Sequence, residues 1–254
     1  MSRNRRKKSN PVRNLLYVIL AILILAGVGN YFPGTYGQIG HLVEKAWNSI
    51  GSGGKQVQSA DIGDVPEYSG SPYVEINNNE PEFSENDMTT QPFENYSELD
   101  SLGRCGVAYA NVCTDIMPTE ERGKIGMIKP SGWHTVKYDN VDGKYLYNRC
   151  HLIGYQLSGE NANEKNLITG TRYLNVDGML PFENEVADYV HKTNNHVLYR
   201  VTPIFEGDNL VASGVWMEAK SVEDNGEGVK ISVYVYNVQP GITIDYATGD
   251  SKKQ

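Results

Sequence analysis

The sequence predicts an α+β domain, rich in antiparallel sheet, over residues 102–254. Short apolar or alternating runs recur through that region, one stretch carries helical spacing instead, and no internal repeat is present. Residues 107–112 are apolar, residues 133–138 alternate, and residues 145–149 form a further strand. Pro181 suits a first helical position. Phe182, Val186, Tyr189 and Val190 then fall at i, i+4, i+7 and i+8, which gives one apolar face as far as about His191. Residues 197–205 and 210–217 read as a hairpin turning at Glu206, Gly207 and Asp208. A last strand, 230–236, alternates Ile231, Val233 and Val235 with Ser232, Tyr234 and Tyr236.

Ahead of this domain the 254-residue chain changes character three times. Residues 1–13 carry Arg3, Arg5, Arg6, Lys7, Lys8 and Arg13 with no acid, so the net charge of −8 hides −14 over the remainder. Residues 14–32 are expected to form a single transmembrane helix. The unbroken apolar run from Leu15 to Val28 lies between the length of a signal-peptide core and that of a bilayer span. With no A-x-A cleavage site and no lipoprotein cysteine, an uncleaved anchor is favoured over a removed signal. Either form exports the rest, and the basic head places it outside the cytoplasmic membrane. Residues 33–101 are expected to be a mostly flexible acidic linker. Within it, residues 39–50 have the spacing of a short helix, and residues 56–101 hold eleven acids and no Lys or Arg. Residues 73–76 suggest an edge strand, and Phe83, Phe93 and Tyr96 are candidates to dock onto the domain.

Cys105, Cys113 and Cys150 suit an oxidising compartment with at most one bridge. Their spacing, without a C-x-x-C pair, does not match a common zinc site.

Polar chemistry concentrates in residues 147–186. His151 follows a strand end and opens a short apolar turn, where an imidazole titrating near neutrality can take a proton from water. Arg149, two residues earlier on the strand, projects to the same side and offers a guanidinium fork to a phosphate. Asn166 and Asn175 lie nine apart, and Glu183 follows eight later in the first turn of the helix. A hydrated Mg2+ needs few protein ligands: one Asn oxygen can hold it directly while a carboxylate orients a coordinated water. Base, anion clamp and metal together point to phosphodiester hydrolysis.

This stretch resembles the DNA/RNA non-specific endonucleases, the ββα-metal nucleases, and among them the membrane-anchored and secreted streptococcal-type branch. The family motif Asp-Arg-Gly-His stands here as Asn148, Arg149, Cys150, His151; the spacing from Asn166 through Asn175 to Glu183 and the segment NVQPGITIDYATGD, residues 237–250, complete the likeness. The resemblance covers about residues 102–250. It implies a ββα-metal fold, with His151 as general base and Asn175 as direct Mg2+ ligand. Glu183 would hold a metal-bound water, Arg149 would contact phosphate, and Asn166 would help position the site. It also implies one metal ion, a 5′-phosphate product, and DNA and RNA as substrates. Mn2+ would serve in place of Mg2+ at an Asn-and-water site. Two residues depart from the motif: either the loss of a carboxylate at Asn148 reduces activity, or a bridge from Cys150 to Cys105 or Cys113 pins the loop.

Taken singly, these residues have plainer roles. Asn166 and Asn175 suit loops, Glu183 suits any helix amino terminus, and Arg172 suits either a phosphate or a surface ion pair. His41, His134, His191 and His196 read as structural. Residues 102–254 carry 15 basic and 19 acidic side chains, so long-range steering toward nucleic acid is weak and binding must be local. The rival reading is a surface module that binds nucleic acid in the same cleft but cuts it weakly or not at all.

Overall fold

The computed structural model describes residues 65–254. The basic head, the anchor, the expected helix over residues 39–50 and the linker as far as residue 64 lie outside them. Among the described residues no helix is long and apolar enough to cross a membrane.

A six-stranded antiparallel sheet organises the domain, in the order β1-β8-β7-β6-β3-β2. Its strands are β1 (Tyr73–Glu75), β2 (Phe93–Tyr96), β3 (Ala108–Val112), β6 (Val197–Ile204), β7 (Gly214–Ser221) and β8 (Lys230–Tyr236). The alternation read in β8 sorts its side chains. Ile231, Val233 and Val235 join Tyr199, Val201, Val215 and Met217 in the main core, while Tyr234 and Tyr236 join Trp216 in a second cluster on the opposite face. Both faces are covered, so β6 is buried along almost its whole length.

On the main-core face lies the unit that carries the site. Strands β4 (Tyr147–His151) and β5 (Leu167–Thr171) form an antiparallel hairpin with Asn148 opposite Gly170 and His151 opposite Leu167. A one-turn helix, α1 (Tyr155–Ser158), lies inside the hairpin connection. After β5 the chain enters a π-helical segment (Leu174–Met179) that runs straight into α2 (Leu180–Thr193). Pro181 occupies the first turn of α2, Val186, Ala187 and Val190 are buried, and Asn194 closes the helix in the left-handed region, its N–H bonded to the Val190 carbonyl at 2.8 Å.

Four expectations change here. Residues 65–101 are not mostly flexible: the expected edge strand forms as β1 and Phe83, Phe93 and Tyr96 dock as expected, but β2 makes the other edge of the sheet and Val65, Tyr68 and Val74 also pack on the aromatic cluster. Residues 133–138 form no strand. Their apolar members Trp133, Val136 and Tyr138 do pack inward, on Val141, Leu146, Tyr147 and Ile242, but only one bridge, Lys137 to Tyr145, ties the segment to a neighbour. In the β6–β7 hairpin, Ile204 pairs with Gly214 instead of a residue near 210, because the backbone N–H of Val211 bonds to Tyr246 and leaves the ladder. Finally, all three cysteines are free and buried, so no bridge pins the motif loop.

Candidate active site

The hairpin, the π-helical segment and α2 converge on an open cleft of about 730 Å³, whose walls include Arg122, Asn148, Arg149, His151, Asn175 and Glu183. Four of the five candidate residues line it. The fifth, Asn166, is fully buried behind it. Its Oδ1 accepts from the Ile153 N–H at 2.9 Å and its Nδ2 donates to the Ile153 carbonyl at 3.0 Å, while its own carbonyl accepts from Leu152 at 2.9 Å. That clamp holds the two residues after His151 and so sets where β4 delivers the imidazole.

His151 is 5 % exposed, and both ring nitrogens are engaged. Nε2 lies 2.8 Å from the Asn161 carbonyl, which can only accept, so Nε2 carries the proton. Nδ1 lies 3.2 Å from Arg122 Nη2, which can only donate, so the Nδ1 lone pair faces the guanidinium. Burial pushes the imidazole down to about 4; the Asn161 hydrogen bond opposes this and the Arg122 charge adds to it. At neutral pH the ring is uncharged, with its basic nitrogen fixed.

Across the cleft Asn175 sits second in the π-helical segment, half-buried. Its Oδ1 accepts from the Cys150 thiol at 3.1 Å, a weak donor that leaves the second lone pair of the amide oxygen for another partner. Cys150 itself is 1 % exposed, and burial, with the nearby Glu183 charge, raises its thiol far above the usual range, so it is an uncharged donor. Glu183 stands in the first turn of α2 and makes no ion pair among the described residues. Burial pushes its carboxyl up to about 7 against the opposing effects of Gln156 and Arg122. The carboxylate rests on the backbone of Gly154, where an added Cβ would lie 2.8 Å from its Cδ. A side chain at position 154 would displace the carboxylate from this position.

The donor set fits a hydrated divalent cation. One neutral amide oxygen and one nearby carboxylate suit an ion that keeps most of its waters. No group of three or more His, Cys, Asp and Glu exists among the described residues to build a closed tetrahedral site.

The guanidinium of Arg149 takes a different posture from the one expected of a phosphate ligand. It donates to the carbonyls of Ile128 and, at 2.9 Å, Gly126, and it lies 4.0 Å over the Trp133 ring. In this arrangement it anchors the loop around residues 126–133 at the cleft wall. Arg172 pairs with Asp142 through Nη2 at 2.9 Å. Sequence reasoning missed Arg122, the cation that touches the His151 imidazole. It lies in an irregular exposed loop 29 residues from His151, and no periodicity or motif marks it.

Comparisons with known proteins show which family and folds the chain is similar to. The family model described as DNA/RNA non-specific endonuclease matches residues 84–223, so β1 lies ahead of the matched region. The crystal structure of NucA from Streptococcus agalactiae with magnesium ion bound is 27 % identical, covers 76 % of this chain and 93 % of its own, and superposes with a TM-score of 0.66. The structure of Sda1 nuclease with bound zinc ion is 29 % identical, covers 64 % of this chain and 81 % of its own, with a TM-score of 0.54. A third structure, of an extracellular endonuclease, shares the fold at 23 % identity and a TM-score of 0.51, covering 65 % of this chain and 87 % of its own.

Proposed function

Because this chain belongs to the DNA/RNA non-specific endonuclease family, and is therefore an endonuclease, we propose that it hydrolyses DNA and RNA with little sequence preference, with Mg2+ as its cation and His151 as its base. The observation that carries the reading is the imidazole: tautomer fixed, uncharged at neutral pH, and opening onto the cleft that also holds Asn175 and Glu183.

Asn175 Oδ1 would hold the cation directly, and Glu183 would orient its water shell. Mn2+ suits the same donors. The bound cation supplies positive charge that stabilises the charged phosphate and the departing oxygen. His151 Nδ1 takes a proton from the attacking water while Nε2–H stays on the Asn161 carbonyl, so the ring does not turn as it becomes charged. The water oxygen bonds to phosphorus, the P–O3′ bond breaks, and the 5′-phosphate remains on the product. For water to reach Nδ1, Arg122 must leave it. An entering phosphate draws the guanidinium across, so that substrate both uncovers the base and gains a cation. Asn166 and the Arg149 anchor keep the two walls in place. Among the described residues that line the cleft none belongs to a base-reading element, which supports low sequence preference.

The membrane anchor over residues 14–32, and with it an outward-facing enzyme, belongs to the same proposal. A nuclease of low selectivity is tolerated where the cell's own nucleic acid is absent. Incubating the protein with plasmid and Mg2+ tests the reading. Degradation that stops with EDTA and in His151→Ala supports it, persistent cutting by His151→Ala rejects the base, and binding without cutting favours the silent module.

A further inference from the structure

The segment that enters the domain ahead of the family-matched region touches both elements that carry the cleft's oxygen donors. Tyr68 packs edge-on against Tyr173, ring centroids 6.2 Å apart, with its hydroxyl 3.4 Å from that of Tyr173. Tyr173 immediately precedes the π-helical segment that bears Asn175, and its hydroxyl donates to the Gly70 carbonyl at 3.3 Å. Five residues after Tyr68, Tyr73 packs edge-on at 4.8 Å against Phe182, the neighbour of Glu183 in α2. The two ring pairs bracket the π-helical segment at its start and just beyond its end.

That segment needs support from outside. A π-helical turn is a rare conformation, found mostly as a short bulge within an α-helix, and it persists where its surroundings hold it. On one side Gly178 presses its backbone against Val235 of β8 so closely that no Cβ would fit. Residues 65–76 are themselves fixed to β8. Tyr73 to Glu75 pair with Val233 to Val235, the Tyr236 hydroxyl donates to the Pro66 carbonyl at 2.7 Å, and Tyr68 lies edge-on to the Tyr236 ring at 5.6 Å. The sheet edge thus passes its rigidity to Tyr173 and Phe182 through two aromatic contacts.

We propose that residues 65–76 are a buttress of the metal site, with Tyr68 and Tyr73 as positioning residues that hold Asn175 and Glu183 at the separation a divalent cation requires. The inference rests on the metal site proposed above. It places part of the cation affinity in a segment that touches neither substrate nor metal and that leads directly from the chain's amino-terminal portion.

Mn2+ binding to the full-length chain, followed by the loss of the free-ion EPR signal at 20 °C, tests it without recourse to activity. Tyr68→Ala and Tyr73→Ala should each weaken binding by about tenfold, the lower range seen when supporting partners of metal ligands are removed. Tyr73→Phe, which keeps the ring, should bind as the wild type. Val74→Ala is the control for Tyr73→Ala: Val74 alternates with Tyr73 on β1 and packs on the aromatic cluster of the opposite sheet face, which Tyr68 also joins, so its loss should lower the melting temperature and leave Mn2+ affinity unchanged. If the tyrosine variants lose stability but keep affinity, the buttress is rejected. It is rejected equally if Val74→Ala weakens Mn2+ binding as much as they do. Tyr73 is 38 % exposed, so its truncation leaves a folded protein to measure even if Tyr68→Ala does not. Asn175→Ala separates the two ideas. Wild-type affinity in that variant removes the metal site and the buttress with it, whereas lost affinity there beside intact affinity in both tyrosine variants removes the buttress alone.

Discussion

Two carboxylates occupy opposite sides of the same sheet, and the chain treats them differently. On the face away from the cleft, Glu218 of β7 is fully buried opposite Arg200 of β6. Its oxygens accept from Arg200 Nε at 2.6 Å, from Arg200 Nη2 at 2.8 Å and from the Glu82 N–H at 2.8 Å, and the guanidinium lies 4.8 Å over the Phe83 ring. On the cleft side, Glu183 has no ion-pair partner among the described residues, and burial holds its proton up to about 7. In the first region the chain encodes both halves of the charge. In the second it encodes the anion, an amide oxygen and a neutral imidazole, and on the function proposed above the cation comes from solution. A buried charge without its partner costs stability, so such an arrangement marks a site that is completed by a ligand.

Breaking each region should therefore fail in a different way. His151→Ala should lower the cleavage rate by about 10²–10⁴-fold, the usual worth of a positioned base, with melting temperature and Mn2+ affinity close to wild type; single-turnover cleavage of a labelled duplex measures it. Arg200→Ala strands Glu218 and should cost about 3–5 kcal/mol in urea unfolding, with turnover per folded molecule retained. Were that variant as stable as the parent, the contrast between the two carboxylates would be lost. Gly154→Ala drives a methyl group into the Glu183 carboxylate and should weaken Mn2+ binding about tenfold by titration calorimetry, with little change in thermal stability.

The smallest effect is a pH dependence in EDTA. The folded-state value of Glu183, about 7, lies above the ordinary 4.5, so the folded protein holds this proton more tightly than the unfolded chain. The stability it contributes is complete below about pH 4.5 and is lost as pH rises through 7. Glu183→Gln removes that slope, and its melting temperature should gain on the wild type across the same window. His151 acts in the other sense. Its value is depressed to about 4, so its contribution is present above pH 6.5 and is lost as pH falls through 4. The difference between Glu183→Gln and wild type isolates the carboxyl. A constant difference from pH 4.5 to 8 would contradict the buried, unpaired state.

The sheet and the site were not equally legible in the sequence. Strand β8 announced itself because its two faces meet different clusters, and α2 because Pro181 and a single apolar stripe mark its start and its buried side. The motif spacing led to the cleft because His151, Asn175 and Glu183 ride on one local unit, the β4–β5 hairpin followed by the π-helical segment and α2. Arg122 was invisible because its role depends on a loop fold that brings it across 29 residues. The acidic stretch 65–101 was only partly legible: its edge strand and docking aromatics were expected, but the extent of its fixation was not. Its composition is that of a solvated tether, yet a few residues, Tyr68, Tyr73, Val74 and Phe83 among them, suffice to fix it to a sheet that already exists. Residues 133–138 show the converse: alternation records which side chains are buried, not whether a partner strand is present.

The central claim is that Asn175 and Glu183 together receive a divalent cation beside His151. Anomalous diffraction from crystals soaked in Mn2+ tests it most directly. A single strong peak within coordination distance of Asn175 Oδ1, with Glu183 turned toward its water shell and Arg122 or water at His151 Nδ1, is the predicted result. A peak elsewhere in the cleft, or none at Mn2+ concentrations that sustain cleavage, would contradict the account.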